Sequence, residues 1–457
     1  MTDLTPRETE VAHSVCPVVR KSSSYPPGGT ANSGHYRIGT DGPRLYRQDC
    51  RIEKDTGHLV ERGNSVGRGR FRGRGRYIVI AAAMLAAAGC DESTAAESTV
   101  DRSADASMAT RVSDALTDLV RSGMPGAQAT ISGPDGQRTF AAGAGDLATG
   151  APYADGAHIR IGSVTKTFAA TVVLQLVGEG AVDLEAPIER YLPGVVHGNG
   201  NDGNRITVHQ LLQHTSGLAD FAPEGGSEKL PQQLDQTTDG RAYRDLTPAD
   251  LVRIATSMPP QFEPGTQFRY TNTNYTLLAM LIERITGTPF AAEISSRVFE
   301  PLAMHDTYIP SRGDTGLRDP HPLGYRKVDD KWVDATDAEV AWTGAAGAII
   351  STGADVNRFF TALVTGKLLP AAQLARMEDA MPMPSFTEMS YGLGLVRFRV
   401  PCGNEVKEAW GHSGGIPGFS TMAIATSAGT AATISVNTEQ TNEQYSTAFT
   451  AIFCAVA

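Results

Sequence analysis

The chain lacks the spacings that metal centres use. No Cys-x-x-Cys occurs, and His209, His214 and His305 fall in no His-x-x-x-His pattern, so the three are read as structural and neither metal nor cofactor is expected. The glycine-rich patches at 198–203 and 344–347 do not join a strand to a helix, which removes a phosphate-binding fingerprint. No internal repeat is visible. The apolar run at 77–88 holds 12 residues, short of the ~20 that a membrane-spanning helix needs. Lysine is scarce, with 8 in 457 residues, and cysteine scarcer, with 5. Positive charge is also short: the formal net charge is −10, divided into +6 over residues 1–89 and −16 over the remainder. So acidic a main part gives no reason to expect nucleic acid or an anionic membrane face as its partner.

What is present divides the chain into four parts. Residues 1–65 mix Gly, Pro, Ser and Arg without periodicity, as an unstructured extension or a start assigned too early would. Residues 66–89 have the order of a signal peptide: Arg68, Arg70, Arg72, Arg74 and Arg76, then the apolar run, then Gly89-Cys90. The pattern is that of a bacterial lipoprotein, with Cys90 as the lipidation site. Simple cleavage is the alternative, because Ala87 stands where such signals usually carry Leu. An RNA-binding Arg-Gly segment is the rival reading of the basic run, disfavoured by the adjoining apolar core. Residues 90–108, rich in Ser, Ala, Thr and acid and free of aromatics, read as a tether. The expected location is the outer face of the cytoplasmic membrane, held by lipid, or secretion. Of the cysteines, only Cys402 and Cys454 fall in the main domain; in an exported protein they suggest one disulfide, with two unpaired buried thiols as the alternative. Such a bridge would restrict the unfolded chain by roughly 4 kcal/mol on the chain-entropy account.

Residues 109–457 form one domain. Periodicity and caps predict helices at 111–121, 208–213, 248–257, 273–285, 290–299 and 442–453, and strands at 127–131, 138–142, 393–400, 406–411, 419–425 and 430–437. Strands at both ends with helices between imply an α+β fold: an antiparallel sheet of early and late strands, flanked by helices, with an inserted helical subdomain.

Three short motifs carry chemistry. Ser163-Val164-Thr165-Lys166 opens an apolar-periodic stretch through Phe168, Val172 and Leu176, so serine and lysine share one helical face and can touch. No other lysine has a serine three residues before it. Tyr270-Thr271-Asn272 is the one Tyr-x-Asn in the chain, joining a phenol that can relay a proton to an amide that can hold a carbonyl. His412-Ser413-Gly414 adds strand backbone for an oxyanion.

With these motifs, and with Arg160-Ile161-Gly162 before the first, His214-Thr215-Ser216-Gly217-Leu218, Asn274-Tyr275 and Tyr391-Gly392-Leu393-Gly394-Leu395, the domain resembles serine D-alanyl-D-alanine carboxypeptidases and class C β-lactamases over essentially its whole length. The resemblance implies Ser163 as acylated nucleophile, Lys166 or Tyr270 as base, and Asn272 as holder of the substrate amide. His412 and Ser413 would supply the third-motif cation and hydroxyl, the N–H groups of Ser163 and Gly415 the oxyanion hole, and Trp342 an aromatic wall, unless Trp342 is a packing residue. The resemblance also has departures. Val396 stands where the nearest members carry a carboxylate-binding arginine, and Gly415 where a hydroxyl is expected. Arg397 and Arg399 flank Val396 but alternate to the other face. The first expectation is an exported, monomeric D-Ala-D-Ala carboxypeptidase-like enzyme acting on peptidoglycan stem peptides. An esterase, a D-aminopeptidase-like hydrolase and a class C β-lactamase are the alternatives. A non-catalytic penicillin-recognising protein is the rival of a different class, and the intact Ser163, Lys166 and Tyr270 speak against it.

Overall fold

Along Phe419–Ala425 every residue is buried, and successive side chains enter opposite cores. Phe419, Ala423 and Ala425 join one, Met422 and Ile424 the other. A strand buried on both faces belongs to the middle of a covered sheet. The structure, a computed structural model, describes residues 92–221, 245–384, 386–439 and 443–456. The extension at 1–65, the signal at 66–89 and Cys16, Cys50 and Cys90 lie outside those residues.

The sheet has eight strands: β1 (Gly126–Gly133), β2 (Gly136–Gly143), β3 (Met381–Met383), β4 (Phe386–Tyr391), β5 (Val396–Cys402), β6 (Glu405–Ile416), β7 (Phe419–Ala425) and β8 (Ala431–Val436). Their order is β2-β1-β8-β7-β6-β5-β4-β3, with every neighbouring pair antiparallel. Ala127 of β1 opposite Val436 of β8 joins the early strands to the late ones, as the sequence implies.

Helices cover both faces. On one, α1 (Glu92–Arg121) and the last helix of the described chain (Glu443–Val456) bring Val112, Leu116, Leu119, Phe449 and Phe453 onto β1, β5, β7 and β8. On the other lie α2 (Thr165–Gly178), α3 (Asn272–Thr286) and α4 (Gly353–Val364). We call the closing helix α5. Helix α2 is buried nearly all round, from Thr165 through Leu174, which makes it the centre of the helical layer. The helical insertion expected between the strands is therefore present, and the fold is α+β.

Three local expectations change. The backbone is helical from Glu92, through most of the stretch read as a tether, where neither Pro nor Gly interrupts it. The strand expected from 393 starts at Val396, because Gly392 N–H donates to Leu395 O at 2.7 Å and closes a turn. Helix α4 was not anticipated, although Thr352 caps it by accepting from Asp355 N–H. The disulfide Cys402–Cys454, with Cα atoms 5.4 Å apart, ties the end of β5 to α5. Among the described residues no helix is long and apolar enough to cross a membrane.

Candidate active site

Ser163 sits on a tight turn between a strand and a helix. Ile159–Arg160 pairs with Ile350–Ser351, and Gly162 then turns the chain at φ +52, a value in the left-handed region that favours glycine. A 3-10 turn, Gly162–Val164, leads into α2. Arg160 clamps the entry from beneath: its buried guanidinium donates to Thr315 O at 2.7 Å and to Thr336 O. Ser163 is left half-buried at the start of α2, and Lys166, one turn on, is fully enclosed.

Lys166 Nζ has three oxygen neighbours: Ser163 Oγ at 3.0 Å, Asn272 Oδ1 at 2.9 Å and Ala346 O at 2.8 Å. The last two only accept. A neutral amine gives its two protons to them, and the remaining tetrahedral position, its lone pair, faces the Ser163 hydroxyl. Burial pushes the Lys166 pKa down to about 7, against the opposing charge of Asp220. The neutral form is thus well populated near neutral pH.

The Tyr-x-Asn element forms the entry to α3. Thr271 caps the helix through Thr273 N–H, and Asn272 is its first residue. The Tyr270 ring lies 4.7 Å from Lys166 Nζ and packs, tilted by 37°, at 4.2 Å against the buried His214. His214 adopts φ +60 and accepts from Thr271 N–H at 3.3 Å; burial and the nearby lysine hold its pKa well below the usual range. Read from sequence only as a structural histidine, it is the platform under Tyr270.

On the sheet side, β5 pairs with β6 only as far as Val396 opposite Gly411. From His412 to Ile416 β6 is paired with β7 alone, and its other edge faces the serine turn. A methyl group on Gly414 would fall 2.0 Å from Ile161 O and 2.9 Å from Ser163 N, and one on Gly162 would fall 3.0 Å from Gly415 N. These close approaches lay the 412–416 edge of β6 directly against the serine turn, so that Ser163 and Gly415, the pair the resemblance assigns to an oxyanion hole, are neighbours in space. Ser413 and Gly415 are exposed beside them.

His412 departs from the expectation of a cation. Its Nδ1 donates to Ser413 O at 2.5 Å, so in the neutral ring Nε2 is the acceptor, and Tyr391 O–H donates to it at 3.0 Å. Burial, with Lys166 nearby, pushes its pKa down to about 3. The ring is neutral, with both nitrogens committed within the fold. Val396 offers no cation either. It packs with Tyr391 and Phe398 in the apolar layer under α1 and α5, so an arginine there would carry its charge into a core. Arg397 is tied to Glu408 and lies 5.9 Å over Trp410. Trp342 donates to Glu339 O at 2.9 Å and packs beside Phe221, on the 3-10 segment whose last residue is Ala346.

Asp220 and the Ala346 carbonyl escaped the sequence reading. A backbone carbonyl has no sequence signal. Asp220 had one, lying two residues beyond the His214–Leu218 stretch.

A serine in contact with a buried lysine whose pKa is lowered, at the start of a helix and against a strand edge, is the arrangement a serine hydrolase needs. The family described as Beta-lactamase matches residues 100–457, and the chain belongs to it. It is 35% identical over 168 residues to the esterase EstB of Burkholderia gladioli, and 27% identical over 289 residues to penicillin-binding protein 4* of Bacillus subtilis. These alignments cover 36% and 60% of this chain, and 42% and 59% of the two relatives, less than two thirds of either. Among solved structures, a D-stereospecific amidohydrolase from Streptomyces superposes with a TM-score of 0.67 at 34% identity, covering 76% of this chain and 99% of that one. A D-amino acid amidase from Ochrobactrum anthropi gives 0.65 at 26% identity, covering 76% and 98%.

Proposed function

We propose that this serine hydrolase cleaves amides or esters of D-configured acyl groups with uncharged leaving groups, through an acyl-enzyme on Ser163. In acylation the Ser163 oxygen attacks the carbonyl carbon and its proton passes to Lys166 Nζ. The N–H groups of Ser163 and Gly415 hold the oxyanion. The C–N or C–O bond then breaks, the leaving amine or alcohol takes up a proton, and water hydrolyses the ester that remains.

The observation that carries the substrate choice is the buried, neutral His412. A terminal carboxylate needs a cation, and neither His412 nor Val396 supplies one. Similarity to the D-stereospecific amidohydrolase, nearly over that protein's full length, supports the D configuration. D-Ala-D-Ala carboxypeptidase action is the second reading, favoured by similarity to the D-alanyl-D-alanine-carboxypeptidase/endopeptidase AmpH of Escherichia coli, 28% identical over 202 residues; fast β-lactam turnover has no such specific support.

One D-acyl donor with three leaving groups separates the two readings: the simple amide, the methyl ester and a free-acid D-alanine. The amide and ester are expected to exceed the free acid by tenfold or more in kcat/KM, roughly the worth of a missing charge-assisted hydrogen bond. A strong preference for the free acid would return the assignment to the carboxypeptidase.

We also propose export with processing at Cys90, supported by the order of the signal segment and by a disulfide of the kind that persists in oxidising compartments. Intact mass of protein extracted from its native host should give a chain starting at Cys90 with lipid attached. A chain recovered with Met1 in place would end the proposal.

A further inference from the structure

Asn272 stands between two groups that fix its direction. Its Oδ1 accepts a hydrogen bond from Lys166 Nζ at 2.9 Å, while its Nδ2 donates to Asp220 Oδ2 at 3.2 Å. The same carboxylate oxygen accepts Asn272 N–H at 2.9 Å, at the positive end of α3. A carboxylate only accepts, so it allows one orientation of the amide. Were the amide turned over, its NH₂ would point at Lys166 and compete with Ser163 for the lysine lone pair.

Asp220 is placed firmly for this. Ala219 O accepts from Thr273 Oγ1 at 2.8 Å, and Phe221 N–H donates to Thr273 Oγ1 at 3.2 Å, stitching both neighbours of Asp220 to the first turn of α3. The other groups around the lysine are the rings of Tyr270 and Tyr275 and the neutral His214 and His412.

We propose that Asp220 is a positioning residue for acylation: by locking the Asn272 amide with its oxygen toward Lys166, it aims the lysine lone pair at Ser163. The proposal rests on Ser163 and Lys166 acting as described above. Asp220 contributes direction through hydrogen bonds and, separately, a charge that favours the protonated lysine, and two variants divide these contributions. Asp220→Asn keeps an acceptor for the Asn272 N–H and Nδ2 groups and removes only the charge. Asp220→Ala removes both.

The test measures single-turnover acylation by a fluorogenic ester across pH, together with the ¹³Cε shift of Lys166 in labelled protein. Asp220→Ala should acylate about 10- to 100-fold more slowly on the high-pH plateau, the scale of one misdirected charge-assisted hydrogen bond. Asp220→Asn should keep the plateau within a few-fold, while its acid limb and the Lys166 titration both move to lower pH, since an anion that favours protonation is gone. Circular dichroism checks that both variants fold; if Asp220→Ala does not, Asp220→Leu, similar in volume and without an acceptor for the Asn272 amide, takes its place and should show the same fall in the plateau. Wild-type acylation with an unmoved Lys166 titration in Asp220→Asn and an undiminished plateau in Asp220→Ala would overturn the proposal. Failure of the wild type to acylate any ester would instead sink the functional reading, and the Lys166 titration would still report whether Asp220 controls the lysine.

Discussion

Ser163→Ala is expected to abolish covalent labelling by penicillin or an activated ester, and Lys166→Ala to slow it by roughly 10²- to 10⁴-fold, the range general-base assistance supplies. Both follow from the 3.0 Å contact between the two side chains and from the two carbonyl acceptors that turn the lysine lone pair toward the hydroxyl. The pH profile carries the same information. Lys166 has its pKa lowered to about 7, and it accepts a proton only when neutral. Acylation should therefore rise with pH, tenfold per unit below about 7, and level off above it. Peptide mapping of the wild-type adduct settles the nucleophile, since an acyl group found on any other residue excludes Ser163. A Lys166→Ala enzyme acylating at the wild-type rate would pass the role of base to Tyr270.

Gly414→Ala should be nearly as damaging although it touches no reacting side chain. An added methyl has no room, since it would meet the Ile161 carbonyl at 2.0 Å. The serine turn and β6 must separate, which on the proposed mechanism moves the Ser163 and Gly415 N–H groups apart. Losing an oxyanion donor typically costs about 10²- to 10³-fold in kcat, and the strain of overpacking costs about 1–3 kcal/mol of stability. Stopped-flow acylation with a parallel thermal melt distinguishes the effects. A folded Gly414→Ala enzyme with the wild-type acylation rate would show that the two amides do not act together.

What could be read before the structure, and what could not, divides by the range of the interactions. Ser163 and Lys166 are one helical turn apart, so their contact is local and visible in the spacing. The strands 419–425 and 430–437 alternate between two apolar faces and announce themselves. Helix α4 was legible too: Val356, Phe359, Phe360 and Leu363 recur at helical spacing behind a threonine cap, and were passed over. The place of Asp220 beside the His214–Leu218 stretch was legible but its role was not, because its bond to Asn272 spans 52 residues and exists only after the helical layer closes. The charge of His412 could not be read at all. A histidine in a strand is cationic or neutral according to its burial, and burial here comes from β4, through Tyr391, which enters from another part of the chain.

The pairing of β1 with β8 has a consequence in time. Ala127 leaves the ribosome early and must wait for Val436, and long-range pairing of this sort is slow to form. The serine turn leans on β6, and β6 is joined to β1 only through β7 and β8. A chain cut before residue 431 holds Ser163, Lys166, Tyr270 and His412 yet lacks β8. The residues of the site are all synthesised before the strand that joins the two ends of the sheet, so their alignment waits on that strand.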